Sequence, residues 1–510
     1  MRSAEPFRRV AGVLLPLFSM RSSASWGIGE FRDLRPFSGW MREAGLSLLQ
    51  LLPINEMAAD QNSPYSALSS AALDPLFISP DAIGAFARAG GLDALPRDAR
   101  EALDAARHAP HVDFTAVRAA KRAAFELAWD GSAAALQDEA FAAFREREQY
   151  WLDDYALFRA IAEDDGPDWD NWPEGVRDRS PEALDDARGM LRERVDFFSW
   201  LQWIADVQWA EARAAAADHG VDVFGDLPFM VNADSADVWA RPGDFMLDAS
   251  VGTPPDPFSA TGQDWGVPVY RWPAIAAGDF EWLQKRGRRA AALFDGFRVD
   301  HLVGFYRTFV RTPGRAPYFL PGEEHGQIAQ GERIMRLFLD TGASITAEDL
   351  GTVPDAVRAS LSRLGLPGYR ILRWERRWHD EGHPFIDPAD WPAVAVATSG
   401  THDTESLATW WEQSTGEERR MLLGETAPAS FTPAVRDALL ASLYRSPSNL
   451  LLLPFQDLFG WHDRINTPAT VGAGNWRWVL PWPVDRLGAI PVAAERARAL
   501  RDLARETGRF

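Results

Sequence analysis

The chain has 510 residues, which predicts one large domain with insertions, or two or three domains. A hydrophobic content of 46% and a charged content of 25% are typical of a globular protein. The formal net charge of −20 argues against nucleic acid as a partner, because a phosphate binder needs a basic face. The sequence has no cysteine, which excludes disulfides, thiolate metal sites and cysteine nucleophiles.

The N-terminal segment has two competing interpretations. Arg8 and Arg9 precede a short apolar run over residues 10–17, which has the form of a signal peptide. The run is short and contains Pro16, and it also fits the first strand of a fold. We therefore expect a cytoplasmic protein. No membrane partner is expected, because no apolar run approaches the roughly 20 residues that span a bilayer.

Eight short apolar runs predict strands that are buried on both faces. They cover residues 12–18, 47–53, 221–229, 294–300, 344–349, 368–374, 394–399 and 449–455. Helix-like segments lie between most of them, at residues 30–44, 281–293, 331–341, 354–364 and 404–422. This alternation predicts an α/β fold, a (β/α)8 TIM barrel. A doubly wound open sheet is the competing fold, but Gly27-Ile28-Gly29 is only a fragment of its glycine fingerprint.

Two connections are too long for simple crossovers. Residues 79 to about 216 carry Ala, Arg, Glu and Leu at helical spacing, which predicts a large helical insertion after strand 2. Residues 232–280 are dense in Pro, Gly, Trp and Asp, which predicts an irregular, loop-rich insertion after strand 3, over the active site. The predicted organisation has no separate C-terminal β-sandwich domain and three parts: barrel strands 1 and 2 at 1–78, a mainly helical subdomain at 79–216, and the rest of the barrel at 217–510.

Acidic residues lie at or shortly after the ends of three predicted strands, at Asp300, at Glu348 with Asp349, and at Asp403. The carboxyl ends of barrel strands form the active site, and two carboxylates flanking a sugar ring are what glycosidic-bond chemistry requires. Arg298 lies on the same strand face as Asp300, so it can hold that carboxylate, although such a pair can equally be structural. Strand periodicity alone does not choose between Glu348 and Asp349.

Several motifs, in order along the chain, carry a resemblance to a known family. They are Ser63-Pro64-Tyr65, Gly225-Asp226-Leu227-Pro228, residues 234–239, Pro254-Pro255-Asp256, residues 262–266, Phe297-Arg298-Val299-Asp300-His301, Ala347-Glu348-Asp349-Leu350-Gly351, Gly400-Thr401-His402-Asp403, Asn466-Thr467-Pro468 and Asn475-Trp476-Arg477-Trp478. From about Val13 to Pro481 the chain resembles the 4-α-glucanotransferases known as amylomaltase or disproportionating enzyme, glycoside hydrolase family 77 of the α-amylase clan.

The resemblance implies transfer of an α-1,4-glucan segment to the 4-hydroxyl of an acceptor, with maltooligosaccharides as substrates and with retention of configuration. It implies that Asp300 is the nucleophile and that Glu348, with a raised pKa, is the general acid/base. Asp403 is implied as the third carboxylate, which binds ring hydroxyls. Retention requires the carboxyl groups of Asp300 and Glu348 to lie about 5–5.5 Å apart.

The resemblance also implies a set of substrate-binding residues: Tyr65, Asp226, Asp234, Gln263, Trp265, Arg298, His301 and His402. Among them, Asp226 is expected to pair with Arg298, and Tyr65 to stack under the sugar. Gln263 and Trp265 are expected in the loop over the acceptor side. We expect no cofactor. We also expect no essential metal, because adjoining His and Asp residues face opposite ways and no HExxH or EF-hand spacing occurs. The expected state is a monomer or homodimer.

Two departures from the family pattern bear on these expectations. Thr404 replaces the asparagine that commonly follows the third carboxylate, which bears on the support of Asp403. Pro257 stands where many relatives have a side chain that can contact glucan, which bears on acceptor preference. The three acids alone do not choose between water and sugar as acceptor, so an α-amylase-type hydrolase and a catalytically silent glucan-binding barrel stay open as alternatives.

Overall fold

Twelve strands lie in the part of the chain that the computed structural model describes, which is residues 7–58, 61–130, 135–255, 262–468, 470, 472 and 474–510. They are β1 (Val10–Leu14), β2 (Leu48–Gln50), β3 (Asp222–Leu227), β4 (Phe245–Thr253), β5 (Gln263–Tyr270), β6 (Gly296–Val299), β7 (Thr308–Arg311), β8 (Tyr318–Leu320), β9 (Ser344–Ala347), β10 (Gly368–Ile371), β11 (Ala395–Thr398) and β12 (Leu450–Pro454).

Eight of these strands close into a parallel barrel in the order β1-β12-β11-β10-β9-β6-β3-β2. Each of them overlaps one of the eight predicted runs, so the predicted TIM barrel is confirmed and the open sheet is wrong. Parallel pairing of β1 with both β12 and β2 closes the barrel. Because the strands are parallel, their carboxyl ends share one rim.

The helices are α1 (Leu34–Glu43), α2 (Gly84–Arg88), α3 (Arg97–His108), α4 (Phe114–Asp130), α5 (Glu139–Asp165), α6 (Glu174–Arg177), α7 (Pro181–Met190), α8 (Arg192–Asp218), α9 (Ala236–Ala240), α10 (Trp272–Ala277), α11 (Glu281–Leu293), α12 (Val303–Tyr306), α13 (Glu324–Leu339), α14 (Asp355–Leu364), α15 (Leu407–Gln413), α16 (Gly416–Leu423), α17 (Pro433–Arg445), α18 (Phe455–Phe459) and α19 (Pro491–Glu506). The predicted helix at 404–422 is two helices, because Thr415 and Glu418 form a capping box that begins α16. No helix of the described residues is long and apolar enough to cross a membrane.

The side chains inside the barrel change from apolar to polar along the strands. One buried cluster draws on six barrel strands and therefore lies inside the barrel; it comprises Val10, Leu48, Phe224, Tyr369, Val396, Leu450 and Leu452. Two residues further along three of these strands come Gln50, Asp226 and Thr398, all buried. Since strand side chains alternate in direction, these polar residues face the same interior. The barrel interior is therefore filled by apolar side chains towards the amino ends of the strands and by polar side chains next to the rim at their carboxyl ends.

Helices α2 to α8 occupy the connection between β2 and β3, as predicted. The irregular structure predicted for residues 232–280 is wrong in part. This segment contains α9, α10, β4 and β5, and the last two pair with β7 and β8 in a four-stranded antiparallel sheet. Gly252 lies within β4, where a Cβ would lie 2.1 Å from the Gln263 carbonyl oxygen, so this glycine permits close strand pairing.

The chain after β12 forms α18, α19 and a short 3-10 helix, with no strand among its described residues. The expectation of no separate C-terminal β-sandwich domain stays a prediction. The boundaries at 78/79 and 216/217 stay predictions, because the helical insertion and the barrel share one continuous core cluster.

Candidate active site

Arg298 lies at the centre of the rim and contacts three carboxylates. Its Nη1 atom donates to both oxygens of Asp226, at 2.9 and 2.7 Å, and lies 2.7 Å from Oδ1 of Asp300. Its Nη2 atom is 3.9 Å from Oε2 of Glu348. Both predicted ion pairs of Arg298 are therefore confirmed. Neighbouring strands produce this arrangement, because β3, β6 and β9 are adjacent in the barrel.

Asp300 and Glu348 differ in their surroundings although they flank one guanidinium. The Asp300 side chain is 23% exposed and that of Glu348 is 12% exposed. Burial raises the pKa of Glu348 to about 7, with Arg298 opposing this shift and the charge of Asp300 adding to it. Glu348 also accepts hydrogen bonds from the backbone N–H groups of His301 and Leu350, at 2.9 Å each. A carboxyl group with such a pKa can hold a proton near neutral pH and release it.

Asp403 reaches the same rim from β11, and its carboxylate has two side-chain partners. Asn466 Nδ2 donates to Oδ1 at 2.6 Å, and His402 Nε2 lies 3.3 Å from Oδ2. Burial works to raise the pKa of Asp403, but His402 and Asn466 outweigh it and lower the pKa to about 2. The side chain is 42% exposed, so an ionised carboxylate faces the open side of the rim.

Tyr65 links Asp226 to His402. Its hydroxyl donates to Asp226 Oδ2 at 2.8 Å and lies 3.0 Å from His402 Nε2. Because the single hydroxyl proton goes to Asp226, Nε2 of His402 must be the donor in the second bond. The Tyr65 ring stacks on His402, with centroids 5.4 Å apart and planes 20° apart, and Trp476 packs against both rings at 5.7 Å.

His301 connects the rim to the start of β5. Its ring meets Trp265 edge to face with centroids 4.7 Å apart, and Trp265 Nε1 donates to Gln263 Oε1 at 3.3 Å. Burial lowers the pKa of His301 to about 4, so its imidazole is neutral at physiological pH. His301 has a left-handed φ of 41°, and its backbone N–H donates to Glu348. Gln263 and Trp265 therefore lie beside the Glu348 side of the rim.

Asp234 lies in a cavity wall next to β4 and β5. It lies in the wall of a cavity of about 350 Å³ that none of the three carboxylates lines, together with Asp248, Ser250 and Pro268. Its expected place at the sugar site stays a prediction. Asp256 and Pro257, which the sequence singled out, lie outside the described residues.

Thr404 has a structural role that the family comparison alone does not show. Its hydroxyl donates to the Thr401 carbonyl and accepts from the Thr401 N–H, both at 3.1 Å, so it closes the turn that carries Asp403. Support of the Asp403 carboxylate comes instead from Asn466, 63 residues further along the chain.

Asn466 and Trp476 were given no role from sequence. Both lie in motifs of the family resemblance after β12, but nothing local in the sequence links these residues to the distant acids. No described group of three or more His, Asp or Glu residues is arranged to hold a metal ion. The rim can hold one carboxyl proton, present one carboxylate fixed by arginine, and accept sugar hydroxyls at a third.

An eight-stranded parallel barrel whose rim presents these carboxylates belongs to the class of α/β-barrel enzymes that act on glycosidic bonds. The chain belongs to the 4-alpha-glucanotransferase family, whose model matches residues 15–484.

Known proteins show the same likeness over nearly the full length. The 4-alpha-glucanotransferase of Thermus thermophilus is 33% identical over an alignment 519 positions long, and the match covers 96% of this chain and 99% of that protein. The 4-alpha-glucanotransferase of Chlamydia pneumoniae is 33% identical over 485 residues, 92% of this chain and 90% of that protein. The amylomaltase of Streptococcus agalactiae, solved in complex with acarbose, has a TM-score of 0.82 at 27% identity and covers 98% of this chain and 100% of its own.

Proposed function

We propose that this 4-alpha-glucanotransferase moves a segment of an α-1,4-glucan to the 4-hydroxyl of an acceptor glucose or glucan in two displacement steps. The observation that carries the proposal is the pair of unlike carboxyl groups at Arg298. Asp300 lies 2.7 Å from the guanidinium, whereas burial holds the pKa of Glu348 at about 7. A nucleophile and a proton donor are the two groups that a retaining reaction needs.

In the first step the Asp300 carboxylate attacks the anomeric carbon of the donor glucan and forms a β-glycosyl ester. The glycosidic C–O bond breaks, and Glu348 gives its proton to the leaving oxygen. Arg298 orients the Asp300 carboxylate for attack. The backbone N–H groups of His301 and Leu350 each donate to one oxygen of Glu348, which fixes the orientation of its carboxyl group.

In the second step Glu348, now ionised, takes the proton of the acceptor 4-hydroxyl, and the acceptor oxygen attacks the ester carbon. The C–O bond to Asp300 breaks, and the product regains the α configuration. Asp403, ionised because its pKa is about 2, accepts hydrogen bonds from ring hydroxyls, which strengthen as the ring flattens.

The binding residues support these steps from three sides. We assign Tyr65 and His402 to the reacting sugar, because they form the aromatic wall beside Asp403. We assign Gln263, Trp265 and His301 to the acceptor side, because they adjoin Glu348. Asp226 acts through Arg298. Asp234 is assigned to glucan binding, as a residue in the wall of the cavity of about 350 Å³.

The product profile from maltotriose tests the function. Transfer produces glucose together with a ladder of longer oligosaccharides, whereas hydrolysis produces only shorter ones. If every product is shorter than maltotriose, the proposed transfer is wrong and the protein is an α-amylase-type hydrolase. If maltotriose is not converted at all, the remaining interpretation is a catalytically silent glucan-binding barrel.

The remaining assignments concern the setting of the enzyme. We propose that it acts in the cytoplasm without a cofactor, as a monomer or homodimer, on maltooligosaccharides and longer α-1,4-glucans. The cysteine-free composition accords with a reducing compartment. Sedimentation equilibrium measures the oligomeric state directly.

A further inference from the structure

Tyr369 lies inside the barrel next to the arginine of the active site. Its side chain is 3% exposed and belongs to the interior cluster that seals the barrel. The centre of its ring is 5.9 Å from Cζ of Arg298. We propose that Tyr369, held by Gln50, is a positioning residue that fixes the Arg298 guanidinium, and through it Asp300, for the reaction proposed above.

The hydroxyl end of Tyr369 is anchored on the opposite wall of the barrel. Its O–H donates to Gln50 Oε1 at 2.8 Å. Tyr369 is on β10 and Gln50 on β2, and these strands are four places apart in the eight-strand order, so the bond spans the interior. A hydrogen bond across a buried, low-dielectric interior holds the ring in one orientation.

The backbone end of Tyr369 is anchored by Asp349. The β9–β10 ladder has a single registered pair, Gly368 with Ala347, so this seam has little strand pairing. Asp349 Oδ1 accepts the Tyr369 N–H at 2.7 Å and supplies a bond that the ladder lacks. A Cβ at position 368 would lie 2.5 Å from Asp349 Oδ2, which explains the glycine there.

Arg298 needs a rigid neighbour such as Tyr369, because three carboxylates compete for its guanidinium. Its Nη1 serves Asp226 and Asp300, and its Nη2 is only 3.9 Å from Glu348. A small tilt of the guanidinium would weaken its bond to Asp300 and bring it nearer to Glu348. Positive charge nearer to Glu348 would lower the pKa of that carboxyl and remove the proton that the first step uses. The ring of Tyr369, fixed at both ends, prevents that tilt.

The test compares Tyr369→Phe, which keeps the ring but not the hydroxyl, with Tyr369→Leu, which removes the ring. We expect kcat for transfer from maltotriose to fall about tenfold in the Phe variant and further in the Leu variant, with KM unchanged. The alkaline limb of the kcat profile should move to lower pH in both. A residue that only supports the fold would lower kcat by reducing the folded fraction, but it would leave the alkaline limb of the pH profile at its wild-type position.

Gln50→Met supplies the coupling test. If Gln50 acts through the Tyr369 hydroxyl, the double variant Gln50→Met/Tyr369→Phe should lose no more kcat than the more affected single variant. Additive losses would overturn the proposed relay. Tyr444→Phe is the matched control, because the buried Tyr444 hydroxyl has no hydrogen-bond partner among the described residues.

The inference is overturned if both Tyr369 variants keep the wild-type kcat and pH profile. It is also overturned if Tyr444→Phe changes kcat and the pH profile as much as Tyr369→Phe does. Assays of the wild type and of Asp300→Asn run alongside separate this failure from failure of the proposed function. If the wild type transfers and Asp300→Asn does not, the proposed function stands whatever Tyr369 shows.

Discussion

Glu348 and Asp349 are neighbours in the chain, but their carboxyl groups serve different parts of the molecule. Glu348 faces the rim, where it meets the backbone of His301 and lies 3.9 Å from Arg298. Asp349 turns the other way, where its Oδ2 lies 2.6 Å from Arg358 Nη1 and its Oδ1 accepts from Tyr369 N. One residue is therefore available to a substrate while the other holds the barrel wall together.

Replacement of Asp300 should abolish transfer. Asp300→Asn removes the nucleophile while keeping the size of the side chain, so we expect kcat on maltotriose to fall roughly 10⁴-fold or more. Asp279→Asn is the control, since that carboxylate is 75% exposed in a surface pair with Arg333. An Asp300→Asn variant as active as the parent would refute the assignment.

The activity should depend on a proton held by Glu348. Because burial raises the pKa of Glu348 to about 7 and the first step needs the protonated form, kcat/KM should decline above about pH 7. Glu348→Gln should lose activity on glucans yet retain some glycosylation by α-glucosyl fluoride, whose leaving group needs no proton. Equal loss on both donors would contradict the acid role.

The same residue should make stability depend on pH. The pKa of Glu348 is about 7 in the folded state against 4.5 ordinarily, so the folded state binds this proton more tightly. Its stabilising effect is present below pH 4.5 and is lost as pH rises through about 7. Relative to wild type, Glu348→Gln should gain up to about 3 kcal/mol in free energy of unfolding between pH 4 and pH 8, measured by denaturant titration. A constant difference would refute this.

A lysine in place of Arg298 should not preserve activity or stability. A lysine ammonium is a single point charge and cannot serve Asp226 and Asp300 with the same geometry. We expect Arg298→Lys to lower kcat/KM by about 10²-fold or more and the free energy of unfolding by about 1–3 kcal/mol. Arg363→Lys, at a surface pair with Glu332, should cost little in either measurement. Similar losses in both variants would show that the arginine site has no special role.

Asn466 should control the ionisation of Asp403. Asn466→Leu removes the donor at 2.6 Å, so the pKa of Asp403 should rise from about 2. The acidic limb of kcat/KM should move to higher pH, with about a tenfold loss at neutral pH. Asn475→Leu disturbs the same loop, through its bonds to Thr467 and Thr470, without touching Asp403. If it shifts the acidic limb equally, loop distortion is the cause.

Much of the barrel and its acids could be predicted from sequence. Apolar runs such as residues 449–455 are short and bounded by turn residues, so burial on both faces is visible locally. The acids at 300, 348 and 403 lie at or shortly after the ends of such runs. The small antiparallel sheet was missed, because its strands contain Gly252 and Pro268 and join segments on either side of β6. Pairing between segments so far apart leaves no local pattern.

By itself the sequence determined which residues end the buried strands and the family to which they belong, because alternating burial and ordered motifs are properties of the linear chain. Only the tertiary structure decided that Arg298 serves both Asp226 and Asp300, that Asn466 supports Asp403, and that Tyr369 meets Gln50 across the barrel. These contacts join strands and loops up to hundreds of residues apart, so closure of the barrel, and no local propensity, brings them together.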